Sequence, residues 1–248
     1  MSKNVAIIQA RMGSTRLPEK VLMDIGEEPM LWHVHERASH ASLLDEVVIA
    51  TSTEPADDAV ATFCAERGIP CVRGSEADVL DRYYQTAVEM EADTVVRLTA
   101  DCPFLSPPVI DRVVREYETS HDEYVSNTIE YTHPDGLDVE VFAMETLETA
   151  WQEATEPRER EHVTAYIINS DTFRSKNVEN VLDMSAYEFV EEDTILRWTV
   201  DYPEDMEFVR EVYDRLTQHG HWVFDQQSVL ELLERNPALR EINEDRTA

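Results

Sequence analysis

A chain of 248 residues with 42% hydrophobic side chains can bury one α/β core, while 52 acidic against 21 basic residues leave a formal charge of −31. A surface of that sign repels nucleic acid and anionic lipid beyond short range, so neither a nucleic acid polymer nor a membrane is an expected partner. No basic leader precedes an apolar stretch and no run approaches 18 apolar residues, which predicts a cytoplasmic protein; charge this dense is tolerated where salt cuts the Debye length to about 3 Å at 1 M, which points to the cytosol of a halophile.

Val5-Ala6-Ile7-Ile8 reads as a buried strand within 4–10. The stretch after it, Gln9-Ala10-Arg11-Met12-Gly13-Ser14-Thr15-Arg16-Leu17-Pro18-Glu19-Lys20, is the most informative in the chain. There are three lysines and six glycines in all, and one of each falls here beside two arginines. Three cations on a turn call for an anionic partner. Gly13 permits positive φ and close backbone approach, exposed N–H groups can cradle phosphate oxygens, and Arg and Lys add charge-assisted hydrogen bonds. The spacing is not that of a Walker A loop, and a basic surface loop accounts for the same residue types.

Further apolar runs at 46–51, 70–73, 93–99 and 196–201 read as strands, alternating with helices at 29–40, 54–67, 77–91, 106–119 and 203–219. Ser106-Pro107-Pro108 and Tyr202-Pro203-Glu204-Asp205 are helix starts, with proline in the first turn. The alternation predicts one α/β domain over 1–248, with a mainly parallel, Rossmann-like sheet covered on both faces. Residues 124–127 and 138–142 read as strands joined by a turn through Pro134-Asp135-Gly136, with helices at 144–155 and 158–169. Residues 124–170 thus make a small inserted β/α element, with an oligomer contact as its expected role. Cys64, Cys71 and Cys102 are odd in number and form no CxxC pair, so they are expected to be buried thiols rather than disulfide or zinc ligands.

Asp101 ends the run that begins at Val95, and Asp201 ends Leu196-Arg197-Trp198-Thr199-Val200. If both runs flank the first strand, the two carboxylates face the phosphate loop from the carboxyl ends of the strands, where such sheets bind ligands. Mg²⁺ accepts carboxylates together with phosphate and water oxygens. Each Asp equally suits a cap on the following helix. Gly74 to Tyr83 could wrap a base or ribose, and also reads as a helix start capped by Ser75.

Taken together, these motifs resemble the sugar nucleotidyltransferases of the CMP-sugar synthetase group, and most of all its spore-coat polysaccharide cytidylyltransferase-like branch. The resemblance rests on Ala10 to Lys20, Pro29 to Val34, Ala50-Thr51-Ser52, Gly74 to Arg82, Arg97 to Pro103, Asp135 to Glu140, Arg160 to Thr164 and Trp198 to Asp205. It implies a GT-A-like fold and transfer of CMP from CTP, or of another nucleotidyl group from its NTP, to a sugar acceptor with release of pyrophosphate. Arg11, Lys20 and Asp101 are then the catalytic residues, with Asp101 and Asp201 holding Mg²⁺. Ala10, Arg11, Gly13, Ser14, Arg16, Lys20, Ser52, Gly74 and Asp78 become nucleotide contacts. Tyr131, His133, Asp138, Glu140, Arg160 and His162 become acceptor contacts, in a segment where relatives also build a homodimer. Arg158 to Glu161 also read as a solvated mixed-charge helix face. Arg97 to Pro103 replaces the Gln-Gly-Asp-Glu-Pro of octulosonate enzymes, which leaves the acceptor open between a 2-keto-3-deoxy sugar acid and a sugar phosphate. A guanylyl or uridylyl transferase, a GT-A glycosyltransferase and a non-catalytic scaffold are the alternatives.

Overall fold

The computed structural model describes residues 2–191, 194–217 and 222–244. In chain order its elements are β1 (Asn4–Gln9), β2 (Asp24–Ile25), β3 (Glu28–Pro29), α1 (Met30–Ser39), β4 (Glu46–Ser52), α2 (Asp58–Arg67), β5 (Cys71–Gly74), α3 (Val79–Glu89), β6 (Thr94–Thr99), α4 (Pro107–Thr119), β7 (Tyr124–Ser126), β8 (Glu140–Ala143), α5 (Met144–Glu153), α6 (Pro157–Glu161), α7 (Ala165–Asn169), β9 (Ser175–Asn177), α8 (Pro203–Leu216) and α9 (Gln226–Arg235). Seven strands form one sheet in the order β5-β4-β1-β6-β8-β7-β9, and β2 pairs with β3 in a separate hairpin. Strands β5, β4, β1 and β6 are mutually parallel, and β8 runs antiparallel to both β6 and β7. This is the mainly parallel α/β sheet that the strand-helix alternation predicts.

Strand β1 is apolar without alternation because both its faces are covered. Ala6 and Ile8 join a core with α1, α4, α8 and α9, represented by Val34, Val113, Val209 and Leu230. Val5 and Ile7 point the other way, to Leu80 and Tyr83 of α3 and Leu147 of α5. At about 25 cal/mol per Å² of buried apolar surface, two such layers are the main stabilising term.

Residues 124–170 are not a separate appendage, since β7 and β8 extend the same sheet. The segment through Pro134-Asp135-Gly136 is no tight hairpin turn; residues 127–139 make a broad loop between the two strands. The helix expected at 158–169 is two short ones, because Val163, between them, adopts φ 38°, a left-handed conformation that a continuing helix does not allow. Helix α8 ends at Leu216, and the end of the expected span, 218–219, lies outside the described residues.

The largest departure is 196–201, expected as a strand. It is extended, but its partners are loops: Asp135 N–H donates to Leu196 O at 2.9 Å, Trp198 N–H to Asp135 O at 2.7 Å, and Val200 N–H to Asp101 O at 2.8 Å. Among the described residues, an isolated bridge between Asp135 and Arg197 is its only β pairing. Its β-type composition satisfies the backbone against two loops at the carboxyl end of β6, and so delivers Asp201 to Asp101 without a strand between them. Gly136 makes this possible, for its φ is +110° and a Cβ there would lie 2.7 Å from Thr199 N and Trp198 C. Among the described residues, no helix is long and apolar enough to cross a membrane.

Candidate active site

The loop after β1 leaves the sheet at Ala10, whose N–H still pairs with Ala50 O at 3.1 Å. It is then shaped by its own polar groups. Ser14 N–H donates to Met12 O at 2.9 Å and Ser14 Oγ accepts from Leu17 N–H at 3.3 Å, so Ser14 builds the turn. Gly13 does not use positive φ; the left-handed residue is Glu19, at φ 62°, where the chain turns into the helical turn bearing Lys20. A Cβ on Gly13 would meet Glu76 Oε1 at an ordinary 3.6 Å.

Lys20 is 7% exposed. Its ammonium donates to Asp101 Oδ2 at 2.9 Å, Asp201 Oδ1 at 2.9 Å and Val200 O at 2.6 Å. Burial works against the charge, but Asp101 and then Asp201 outweigh it and hold the lysine above its ordinary pKa. The same contacts hold Asp201 below the usual carboxylate range: burial opposes ionisation, and Lys20, Arg197 and Arg16 reverse the balance. The expectation that each Asp could be a helix cap does not hold. The helix α8 N-terminus is capped instead through Asp205, which accepts from Tyr202 N–H at 2.9 Å.

Around this centre lies a cleft of about 360 Å³, within the range of small-molecule sites. Of the expected nucleotide contacts it is lined by Ala10, Arg11, Gly13, Ser14, Arg16 and Lys20, with Asp101, Asp201 and His162 from the other groups. Arg16 bonds Asp201 at 2.9 Å and approaches the Tyr202 ring at 5.0 Å. Arg11 is exposed and makes no ion pair among the described residues.

The remaining expected residues are placed elsewhere. Ser52 is fully buried and donates to Asp57. Gly74 packs on Arg82, whose Cγ would lie 2.9 Å from an added Cβ. Asp78, rather than Ser75, is the N-cap of α3, accepting from Asp81 N–H at 2.9 Å, and it pairs with Arg160 at 2.6 Å. Arg160 also donates to Trp151 O. Glu140 is buried, paired with Arg97 and accepting from Tyr124 Oη at 2.8 Å. Tyr131 and His133 line a second cavity of about 860 Å³ with residues of 180–196. Burial and then the Arg112 charge push His133 down to about 4. Asp138 is half-buried, and burial followed by the Asp135 charge raises it to about 7.

Three contributors escape a reading by residue type. Arg82 lines the cleft from α3, 2% exposed, its Nε without a partner among the described residues. Asp57 holds the loop after β1 through Met12, and Arg197 holds Asp201 at 2.8 Å. A charged arginine on the buried face of α3, beside Val79, Leu80 and Tyr83, is a sequence signal for the first; the other two are contacts across the fold.

The donor set fits a magnesium-type ion. Among the described residues no three His, Cys, Asp or Glu side chains converge as a protein-built metal cage. Two carboxylates at one point, with phosphate and water oxygens completing an octahedron, are what Mg²⁺ accepts.

A buried lysine between two carboxylates, next to a cation-bearing loop at the carboxyl edge of such a sheet, is an arrangement that suits a phosphate-bearing ligand. The family model for cytidylyltransferases matches residues 5–235, and the chain belongs to that family. It is 32% identical over 243 residues to the spore coat polysaccharide biosynthesis protein SpsF of Bacillus subtilis, covering 96% of each chain. A cytidylyltransferase structure from Leptospira borgpetersenii aligns with TM-score 0.86 and 30% identity over 96% of this chain and 97% of that one. The CTP complex of CMP:2-keto-3-deoxy-manno-octonic acid synthetase shares the fold, with TM-score 0.62 and 20% identity over 86% of this chain and 99% of that chain.

Proposed function

We propose that the protein transfers CMP from CTP to a sugar, with a 2-keto-3-deoxy sugar acid as acceptor, and releases pyrophosphate for cell-surface glycan synthesis. The observation that carries the reading is the Lys20 ammonium shared by Asp101 and Asp201 at the foot of the Arg11–Arg16 loop, in a member of the cytidylyltransferase family. In a chain of charge −31, a cleft that sets Arg11, Arg16, Lys20 and Arg82 against Asp101, Glu161 and Asp201 has a local cationic excess, which suits a triphosphate.

The acceptor oxygen attacks the α-phosphorus in line, the bond from that phosphorus to the α,β-bridging oxygen breaks, and the acceptor proton passes to solvent. Asp101 and Asp201 would hold Mg²⁺, which would supply positive charge beside the α-phosphate and the leaving pyrophosphate. Lys20 and Arg11 hold phosphate oxygens, and the Gly13 and Thr15 N–H groups, which make no hydrogen bond among the described residues, point to backbone contacts with the same oxygens. No covalent nucleophile is needed, so catalysis is positioning and electrostatics. Of the expected acceptor contacts in 124–170, His162 lines the cleft, beside Glu161, and is assigned to the acceptor; the same reading makes the protein a homodimer through that segment.

The test is pyrophosphate release in molar salt with Mg²⁺, pairing each NTP with 2-keto-3-deoxy sugar acids and sugar 1-phosphates. Turnover with CTP and one acid supports the reading. Turnover with another NTP alone overturns the cytidine assignment, and none with any pair overturns the activity.

A further inference from the structure

Asp201 presents its two oxygens to different neighbours. Oδ1 accepts from Lys20 and Arg16 at 2.9 Å each, on the cleft side, whereas Oδ2 accepts from Arg197 at 2.8 Å, on the protein side. Arg197 is itself held. Its side chain is 10% exposed, Nε lies 3.3 Å from Asp205 Oδ1, and Nη1 lies 3.5 Å from Asp135 Oδ2. Asp205, fully buried, also accepts from Asp201 N–H at 2.9 Å, so the acid is fixed by backbone and side chain together. The network ends far along the chain at Asn243, 8% exposed, whose Nδ2 donates to Asp205 Oδ1 at 3.1 Å and to Arg197 O at 3.2 Å.

We propose that Arg197 is a positioning residue that turns a single oxygen of Asp201 toward the cation, with Asn243 as the distal anchor of that geometry. Mg²⁺ demands near-ideal octahedral geometry and takes one oxygen from each of one or two carboxylates. Tying Oδ2 back to a buried guanidinium stops the carboxylate from rotating and chelating through both oxygens. Partners that orient a metal ligand in this way commonly change metal affinity by about 10-fold or more. The inference rests on the reading of Asp201 as a cation ligand.

The test is Mn²⁺ binding to the full-length protein in molar salt, followed by the electron paramagnetic resonance signal of free Mn²⁺, with circular dichroism on every variant. Arg197→Lys keeps a charge among Asp135, Asp201 and Asp205 but lacks the fork that engages them together, and its Mn²⁺ dissociation constant should rise about 10-fold. Asn243→Ala removes no charge and lies outside the cleft lining; a rise of about 3-fold is expected, and this variant decides the matter if Arg197→Lys fails to fold. In turnover, both should raise the Mg²⁺ concentration needed for half-activity and leave the nucleotide KM at saturating Mg²⁺ unchanged. Lower melting temperatures with wild-type Mn²⁺ affinity would make the network purely structural and overturn the inference. Asp201→Asn separates the two layers: if it abolishes Mn²⁺ binding while Arg197→Lys and Asn243→Ala bind normally, only the inference falls, and if it binds normally, the ligand reading falls and takes the inference with it.

Discussion

The backbone N–H of Met12 donates to Asp57 Oδ1 at 2.7 Å, and the other carboxylate oxygen of Asp57 accepts from Ser52 Oγ. The loop between Ala10 and Lys20 is therefore pinned from below by a carboxylate that is 2% exposed. Replacing it orphans a backbone donor and lets the loop move. Asp57→Ala should raise the CTP KM about 10-fold and lower stability by about 1–3 kcal/mol, the usual range for losing one partner of a buried hydrogen bond. Steady-state pyrophosphate release and urea unfolding check both; an unchanged KM would detach the loop from Asp57.

Lys20→Met keeps the length of the side chain and removes the charge between Asp101 and Asp201. Turnover should fall roughly 10²–10³-fold, the range seen when one preorganised stabiliser of developing charge is lost. Near-normal kcat with wild-type circular dichroism would remove Lys20 from the mechanism.

Asp138 is raised to about 7 in the folded chain by burial first and by Asp135 second, against about 3.9 for an unfolded carboxyl. Between those values the folded state binds more protons, so the group's contribution falls as pH rises from about 4 to about 7 and stays unfavourable above. Asp138→Asn removes that penalty. In chelator and constant molar salt, the variant should exceed the wild type at pH 8 by on the order of 2 kcal/mol, with the gap closing toward pH 4. A gap that does not vary with pH would mean that ionisation is not its cause.

Gly136→Ala forces a Cβ against the backbone of Trp198 and Thr199 at a φ of +110°. Backbone cannot give way as a flexible side chain can, so a loss of about 2–4 kcal/mol is expected from strain and displaced packing. Because 196–201 carries Asp201, activity should drop further than stability alone explains. Denaturant titration beside kcat separates the two effects.

With charge −31, the folded state should depend on screening. Circular dichroism should show loss of structure on dialysis from molar to millimolar salt. A spectrum unchanged over that range would remove the halophilic assignment.

The parallel sheet was legible because its strands are short, largely apolar runs alternating with helical patterns, as at Val5 to Ile8 and Val47 to Ala50, a pattern that burial on both faces produces. Asp101 and Lys20 stood out by residue type at an element end. Residues 196–201 did not read correctly, because β-type composition reports an extended, buried backbone and says nothing of whether its partners are strands or loops. Ser52 and Asp78 bond Asp57 and Arg160, and Gly74 packs on Arg82, contacts that depend on how distant segments meet and that residue type alone does not show. Strand β9 is three polar residues with no apolar signal, Ser175 to Asn177; helix α9 was legible but not read, for Val229, Leu230 and Leu233 are buried at helical spacing.

The hydrogen bonds from Asn243 to Arg197 and Asp205 set an order of completion during synthesis. All seven strands of the sheet have been translated by Asn177, but the segment bearing Asp201 gains its last tether only when residue 243 has cleared the ribosomal exit tunnel. A nascent chain can therefore pair all its sheet strands before its second cleft carboxylate is fixed in place, while the core layer that needs α8 and α9 closes only with that last segment.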